Sequence, residues 1–534
     1  MSRRAGAVAA VLAFFAACAI VVTWPQARVF GTQAVRHQDV YFNLWRLKWF
    51  AHALPRQPLG LFDTNVFYPE LRTFALSDAM LIEDIVAAPL IWLGVRDMLV
   101  HNLLIFGAIV ASGGAAFLLT WRLTRSRGAG LVAGLVFALA PYRIEHIMHM
   151  ELQWAMWSPL ALLALHYTIE TGRMRWGIAT GLFTALQMLS CVYYGVYLGT
   201  VLIVCGGLLL VATRAAAFDR SLRPLAAGML LAAVVCGAYA VPYLRVRAAT
   251  GERPTSEFAA FSAKPSSYVV ATPDNRLYGE RRPVGPERHL FPGLVAIGLA
   301  LIGLLLRPPS RWQVVALIAL VFAFEMSLGA GGYSYSFLYA HVSVFRGFRA
   351  SARFAIFVLL FLGMLAGYGY AALVSQASRP VRVVVFGVIA CLILAEYRVS
   401  PALTEYPRAA PDVYRFIKTL PRGVVAEVPF ASPSQLPGDD PYYEYGSSFH
   451  FFPLVNGYSG VYPRSYLSRA SVMQEFPNEA SIEQLRRDGV AYVVVHEAGL
   501  KDSTITDSLA RSAHFSKLGS FHDDSGPTQV LRFH

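Results

Sequence analysis

Apolar residues along this chain come in runs of roughly 20, the length that carries an α-helix across a bilayer core. Eleven such runs succeed one another, at 8–24, 98–121, 129–141, 152–169, 176–190, 192–213, 224–244, 290–306, 312–329, 354–374 and 381–398. The third and fifth are short and extend into flanks at Tyr142 and Met174, residues that suit the membrane interface. The pattern predicts a polytopic α-helical membrane protein. Arg3 and Arg4 ahead of the first run would also open a signal peptide, and Phe15-Ala16-Ala17-Cys18 resembles a lipoprotein cleavage site. That run continues through Val22 to Trp24-Pro25 with no polar cleavage region, so it reads as an uncleaved anchor.

Polar stretches alternate in character between the runs. Arg3 and Arg4, Arg122, Arg125 and Arg127, Arg173 and Arg175, Arg214, Arg220 and Arg223, Arg307 and Arg311, and Arg379 and Arg382 fall in every second loop. Short basic loops stay in the cytoplasm. The amino terminus is therefore expected inside, and the carboxyl terminus outside the bacterial inner (plasma) membrane. Four longer segments face outward: 25–97, 141–154, 245–289 and 330–353. In the first, Tyr41, Leu44, Trp45 and Trp49 recur at helical spacing, and the tryptophans suit the membrane interface. A second apolar stretch, 79–93, holds Glu83 and Asp84. Adjacent acids are costly against lipid, so it reads as a helix on the membrane or entering a cavity. The expected organisation is a membrane domain over 1–400, including the first outer loop 25–97, and an extracytoplasmic domain over 401–534. In the tail, a helix near 411–420, strand GVVAEVP, helix EASIEQLRRDG, and strands VAYVVVHE and TQVLRFH predict a small α/β domain.

Composition agrees. Hydrophobic residues make up 56% and charged residues 15%, too few to coat soluble domains over 534 residues. The net charge of +13 would ordinarily suggest nucleic acid. Here most of it is topological, and no nucleic-acid partner is expected. Cys18, Cys191, Cys205, Cys236 and Cys391 all lie in apolar runs, so neither a disulfide framework nor a zinc ribbon is available. The tail has no phosphate loop, nucleophile elbow or metal triad.

Chemistry is then expected at the outer interface. Asp39, in His37-Gln38-Asp39-Val40-Tyr41, is placed either to cap the following helix or to act as a general base toward a hydroxyl. Glu145, His146, His149 and Glu151 form a second group. Glu145 and His149, four apart, would share a helix face and hold a divalent cation; the plainer reading is a polar interface turn. Arg346, Arg349 and Arg353, at i, i+3, i+7, would share one face and bind a lipid phosphate, or snorkel to ordinary anionic lipid. The chain has 41 Arg against 5 Lys, so arginine identity alone says little. Glu83 and Asp84, with Asp78, are candidate cavity residues or partners of Arg96. Arg143 is a further cavity candidate.

One inward-to-outward span, a long outer loop with an early Asp, interfacial helices, a zigzag of spans and an outer α/β tail resemble the GT-C superfamily of membrane glycosyltransferases. DVYFNLW, NVFYPE with SDAMLIEDIVAAPL, FRGFRASARF and NGYSGVYP are similar to the YfhO-like and related polyprenyl-phosphate-sugar-dependent bacterial group. The resemblance implies a GT-C-like fold and transfer of a hexosyl or pentosyl unit from a polyprenyl-phosphate-linked sugar to a glycan, lipid or protein acceptor of the cell envelope. It implies Asp39 as catalytic base or metal-associated acid, Glu145 or Glu151 as second acid, and Arg346, Arg349 and Arg353 as contacts to the lipid phosphate. The EHIMHME run replaces the family's acidic pair. Two other readings compete: a non-catalytic scaffold of the same fold, and a transporter or flippase of lipid-linked glycans. Ionisable residues are scarce within the spans, which disfavours ion-coupled transport.

Overall fold

The computed structural model describes residues 2–212, 215–279, 284–306, 308–500, 504–523 and 526–534. Of the loop arginines, Arg214 and Arg307 lie outside these. Each of the eleven apolar runs is a helix: Ser2–Val22, Asp97–Thr124, Arg127–Leu139, Trp157–Thr171, Met174–Ser190, Val192–Val211, Ala215–Thr250, Leu294–Leu305, Arg311–Ser327, Ala355–Leu373 and Arg379–Tyr397. Among the described residues, seven helical segments are long and apolar enough to cross a membrane. The others run 12 to 17 residues, so a straight crossing would leave them short of a hydrocarbon core about 30 Å thick. The run expected at 129–141 lengthens because Pro141 opens a second short helix, Pro141–Glu145, at the position where its missing N–H costs nothing.

The chain divides into two compact units. The first comprises 1–29, 103–240 and 252–402. Its centre is Ala355–Leu373, buried almost throughout, with Arg127–Leu139, Leu294–Leu305 and Arg311–Ser327 packed on it. Small residues allow close approach. A Cβ on Gly369 would lie 1.8 Å from the Leu299 carbonyl oxygen, and one on Gly181 1.9 Å from that of Gly228. Without a hydrophobic drive between helices in lipid, such backbone proximity is what dispersion packing requires.

The second unit comprises 30–102, 241–251 and 403–534. The first loop thus packs with the tail, across the expected division at residue 400. Strand β1 (Gln33–Val35) pairs antiparallel with β2 (Leu403–Glu405). The backbone N–H of Leu454 donates to Asn65 at 2.7 Å, and that of Phe67 to Asn456 at 3.0 Å. Strands β3 (Val424–Val428), β4 (Val490–His496), β5 (Phe515–Asp523) and β6 (Gly526–Phe533) form a sheet of order β3-β4-β6-β5, parallel only between β3 and β4.

Two expectations for the first loop need correction or refinement. Helix Gln38–Ala53 is buried on nearly every side. The Trp45 indole donates to the Asn65 side chain at 3.2 Å and the Trp49 indole to the Leu61 carbonyl at 3.0 Å. These tryptophans are internal, not interfacial. Helix Leu81–Trp92 instead points Glu83 and Asp84 inward and leaves Ile85, Val86 and Trp92 exposed. An apolar outer face on a 12-residue helix suits lying on a bilayer and is too short to span one.

Candidate functional site

In the second unit, Asp39 sits in the first turn of Gln38–Ala53, but it does not cap it. His37 is the cap: its Nδ1 accepts from the Asp39 backbone N–H at 3.2 Å. The Asp39 carboxylate is thereby released from the cap role. It lies 13% exposed, with Oδ2 3.7 Å from His37 Nδ1. Its Oδ1 accepts a 2.5 Å hydrogen bond from the Tyr458 hydroxyl. Negative charge at a helix N-terminus is also favoured by the backbone dipole. The result is an ionisable, solvent-reachable carboxylate held in one orientation.

Glu83 and Asp84 do not line an open cavity, because both are fully buried. Burial pushes the Asp84 carboxyl well above its usual range, with Arg46 opposing. The Arg46 guanidinium donates to the Asp78 carbonyl and stacks 4.7 Å from the Phe42 ring. This interior acid therefore favours its neutral form.

The first unit holds a separate cluster. Glu145 and His149 do not share a helix, since Pro141–Glu145 ends at the former and His149 precedes the next helix, Met150–Gln153. Glu145 Oε1 meets His289 Nδ1 at 2.6 Å, and His149 Nδ1 meets His146 Nδ1 at 3.1 Å. His146 Nε2 lies 3.8 Å from Glu287 Oε2. Burial pushes the His146 imidazole down to about 3, against the pull of Glu287. Burial would raise Glu287, but Arg353 chiefly, with His146, holds it down at about 2. Glu151 is also buried. These groups pair off instead of converging. Among the described residues no three His, Cys, Asp or Glu side chains are placed to hold a metal ion. The set does not fit the divalent cation that the spacing suggested.

The three arginines do not share a helical face. Arg346 and Arg353 fall in two 3-10 turns, Ser343–Gly347 and Ser351–Phe354, and Arg349 lies in the link between them. Arg353 is buried and bonded to Glu287 Oε1 through Nε at 2.9 Å and through its terminal nitrogen at 2.8 Å. It is neutralised and unavailable to a phosphate. Arg346 makes a loose 3.4 Å contact with Glu252. Arg349 lies 4.9 Å over the Phe261 ring and, among the described residues, has no carboxylate partner. Arg143, expected in a cavity, is buried and donates to the carbonyls of Gln153 at 2.6 Å and Phe137 at 3.3 Å. It staples a turn. Glu287, His289 and Tyr458 carry these arrangements and had no local sequence signal, because each acts on a partner far along the chain.

No family model and no curated protein matches the chain. Solved structures do. The cryo-EM structure of the mycobacterial arabinofuranosyltransferase AftD matches over 100% of this chain with a TM-score of 0.67 at 14% identity. The chain spans 40% of the length of that protein. The apo crystal structure of the Archaeoglobus fulgidus oligosaccharyltransferase matches over 97% of this chain and 74% of its own, with a TM-score of 0.51 at 12% identity. Both have the GT-C architecture, and this chain has the GT-C fold.

Proposed function

We propose that this protein is a membrane glycosyltransferase that moves a sugar from a polyprenyl-phosphate-linked donor to a cell-envelope acceptor at the outer face of the bacterial inner membrane. The observation that carries this reading is Asp39, a partly exposed carboxylate on a GT-C fold. In the proposed step, Asp39 takes the proton of an acceptor hydroxyl. The hydroxyl oxygen attacks the anomeric carbon, the bond from that carbon to the phosphate oxygen breaks, and the polyprenyl phosphate leaves with the electron pair. In the first unit, Arg349, and more weakly Arg346, are candidate contacts for a lipid phosphate. Arg353 and Glu287 instead brace the fold. No step passes through a metal ion.

The alternating basic loops support a cytoplasmic amino terminus and an outward-facing tail. The test is transfer of labelled sugar from polyprenyl phosphates by membranes containing the full chain. Product from the wild-type chain, and none from Asp39→Asn at equal expression, is expected. Full transfer by Asp39→Asn would remove Asp39 from the mechanism. Movement of intact donor across proteoliposomes with no covalent product would favour a flippase.

A further inference from the structure

We infer that Tyr458 is a positioning residue for Asp39: its hydroxyl aims the carboxylate and holds it ionised for proton acceptance. The catalytic use of this contact rests on the glycosyltransferase reading; the contact itself does not.

The two residues lie 419 positions apart, and the Tyr458 hydroxyl donates to Asp39 Oδ1 at 2.5 Å. A contact between surface groups could be incidental, but Tyr458 is placed by a buried framework. The Asn456 side chain clasps the main chain of Glu427 on β3, accepting from its N–H at 2.8 Å and donating to its carbonyl at 3.0 Å. Gly457 lies where a Cβ would be 2.8 Å from the Phe67 ring. The Tyr458 N–H then donates to the fully buried Glu444 at 2.7 Å, and its ring meets Phe42 edge-on at 5.1 Å. Three successive residues are thus fixed before the phenol reaches out. Phe42 is one helical turn from Asp39, so ring and carboxylate are set by the same helix.

A hydrogen bond donated to a carboxylate stabilises its charged form and lowers its basicity. Groups near Asp39 include His37 at 3.7 Å and the Tyr406 hydroxyl, which donates to the carbonyls of Val35 and His37. Tyr406 is thereby committed to the backbone. Tyr458 donates directly to the Asp39 carboxylate and is placed to tune it.

The test reads protonation without a substrate. The purified full chain is treated with dicyclohexylcarbodiimide, which modifies protonated carboxyls, and adduct at residue 39 is quantified by peptide mass against pH. Asp39→Asn defines background. In Tyr458→Phe the labelling midpoint should rise by about one pH unit. With 3-fluorotyrosine at 458, a stronger donor that keeps the ring, it should fall. An unchanged midpoint in both, with unfolding temperatures like wild type, overturns the inference. In the transfer assay, the acid limb of kcat/KM should move with the labelling midpoint in Tyr458→Phe. A purely structural tie would lower transfer at all pH values without moving that limb, and would also overturn it. Because labelling needs no donor or acceptor, a failed transfer assay leaves it decisive.

Discussion

Glu145 and Glu287 of the first unit and Asp39 of the second are used in opposite ways. Glu145 and Glu287 in the first unit each have an internal basic partner, His289 at 2.6 Å and Arg353 at 2.8 Å. Asp39 in the second accepts from a neutral phenol, lies 3.7 Å from the His37 imidazole and remains partly open to water. A carboxylate paired to a buried guanidinium is a poor base, because protonating it strands the cation. One held by a hydroxyl loses only a hydrogen bond. Chemistry is thus expected where the acid reaches water, and structure where it is sealed against a buried guanidinium.

The largest expected effect follows directly. Asp39→Asn should cut sugar transfer by about 10³–10⁴-fold, the upper range for a positioned acid or base, while expression and unfolding temperature stay near wild type. Glu287→Ala should do the reverse. It leaves Arg353 buried without its partner and should destabilise the chain by about 3 kcal/mol, read as a lowered unfolding temperature in detergent. The double variant Glu287→Leu with Arg353→Met should recover most of that loss, since two apolar groups need no compensation. If the double variant folds well but transfers nothing, the pair is chemical as well as structural and the contrast fails.

The second unit also contains an acid closed off from water, which sharpens the comparison within one unit. Burial pushes Asp440 up to about 7, against hydrogen bonds from Tyr466 and Asn456. The unfolded carboxyl titrates near about 4. The folded state therefore holds the proton more tightly, and this favourable contribution is complete below about pH 4 and lost as pH rises through about 7. Asp440→Asn should flatten that dependence. Hydrogen exchange in the helix Asp440–Ser447 should be slower than wild type at pH 8 and indistinguishable near pH 4. An equal effect at both values would mean that Asp440 contributes through geometry and not through its proton.

Much of the fold was legible because run length is a one-dimensional signal. All eleven apolar stretches became helices, and β3, β4 and β6 fall in the Val-bearing stretches GVVAEVP, VAYVVVHE and TQVLRFH. Strand β5, FSKLGSFHD, was not legible. Lys517, Gly519 and His522 weaken its pattern, and it forms at the sheet edge against β6. Trp45 and Trp49 were misread because an interfacial and a buried indole look alike until the partners, Asn65 and Leu61, are known. The position of Asp39 at the start of a helix was legible, though His37 and not Asp39 caps it. Its partner was not, and neither was Glu287, which lies 66 residues from Arg353. Pairings at such separations leave no local period.

The arginines repeat the contrast on the cationic side and yield the smallest effect. A guanidinium serves an anionic ligand only if no carboxylate already occupies it. Arg353 is occupied, Arg346 shares Glu252 loosely, and Arg349 rests on Phe261 with no carboxylate partner among the described residues. Arg349→Gln should therefore raise KM for a polyprenyl-phosphate donor by about 5–10-fold, consistent with one charge-assisted hydrogen bond in a partly solvated place. kcat should change little, because a ground-state phosphate contact is retained as the bond breaks. Arg346→Gln should raise KM less, and the effect should shrink with added salt as for any exposed charge. Kinetics across a donor series would check the order. If Arg346→Gln had the larger effect, the Glu252 contact would be released when donor binds. The ion pairing seen here would then describe a resting arrangement of that loop, not a limit on its chemistry.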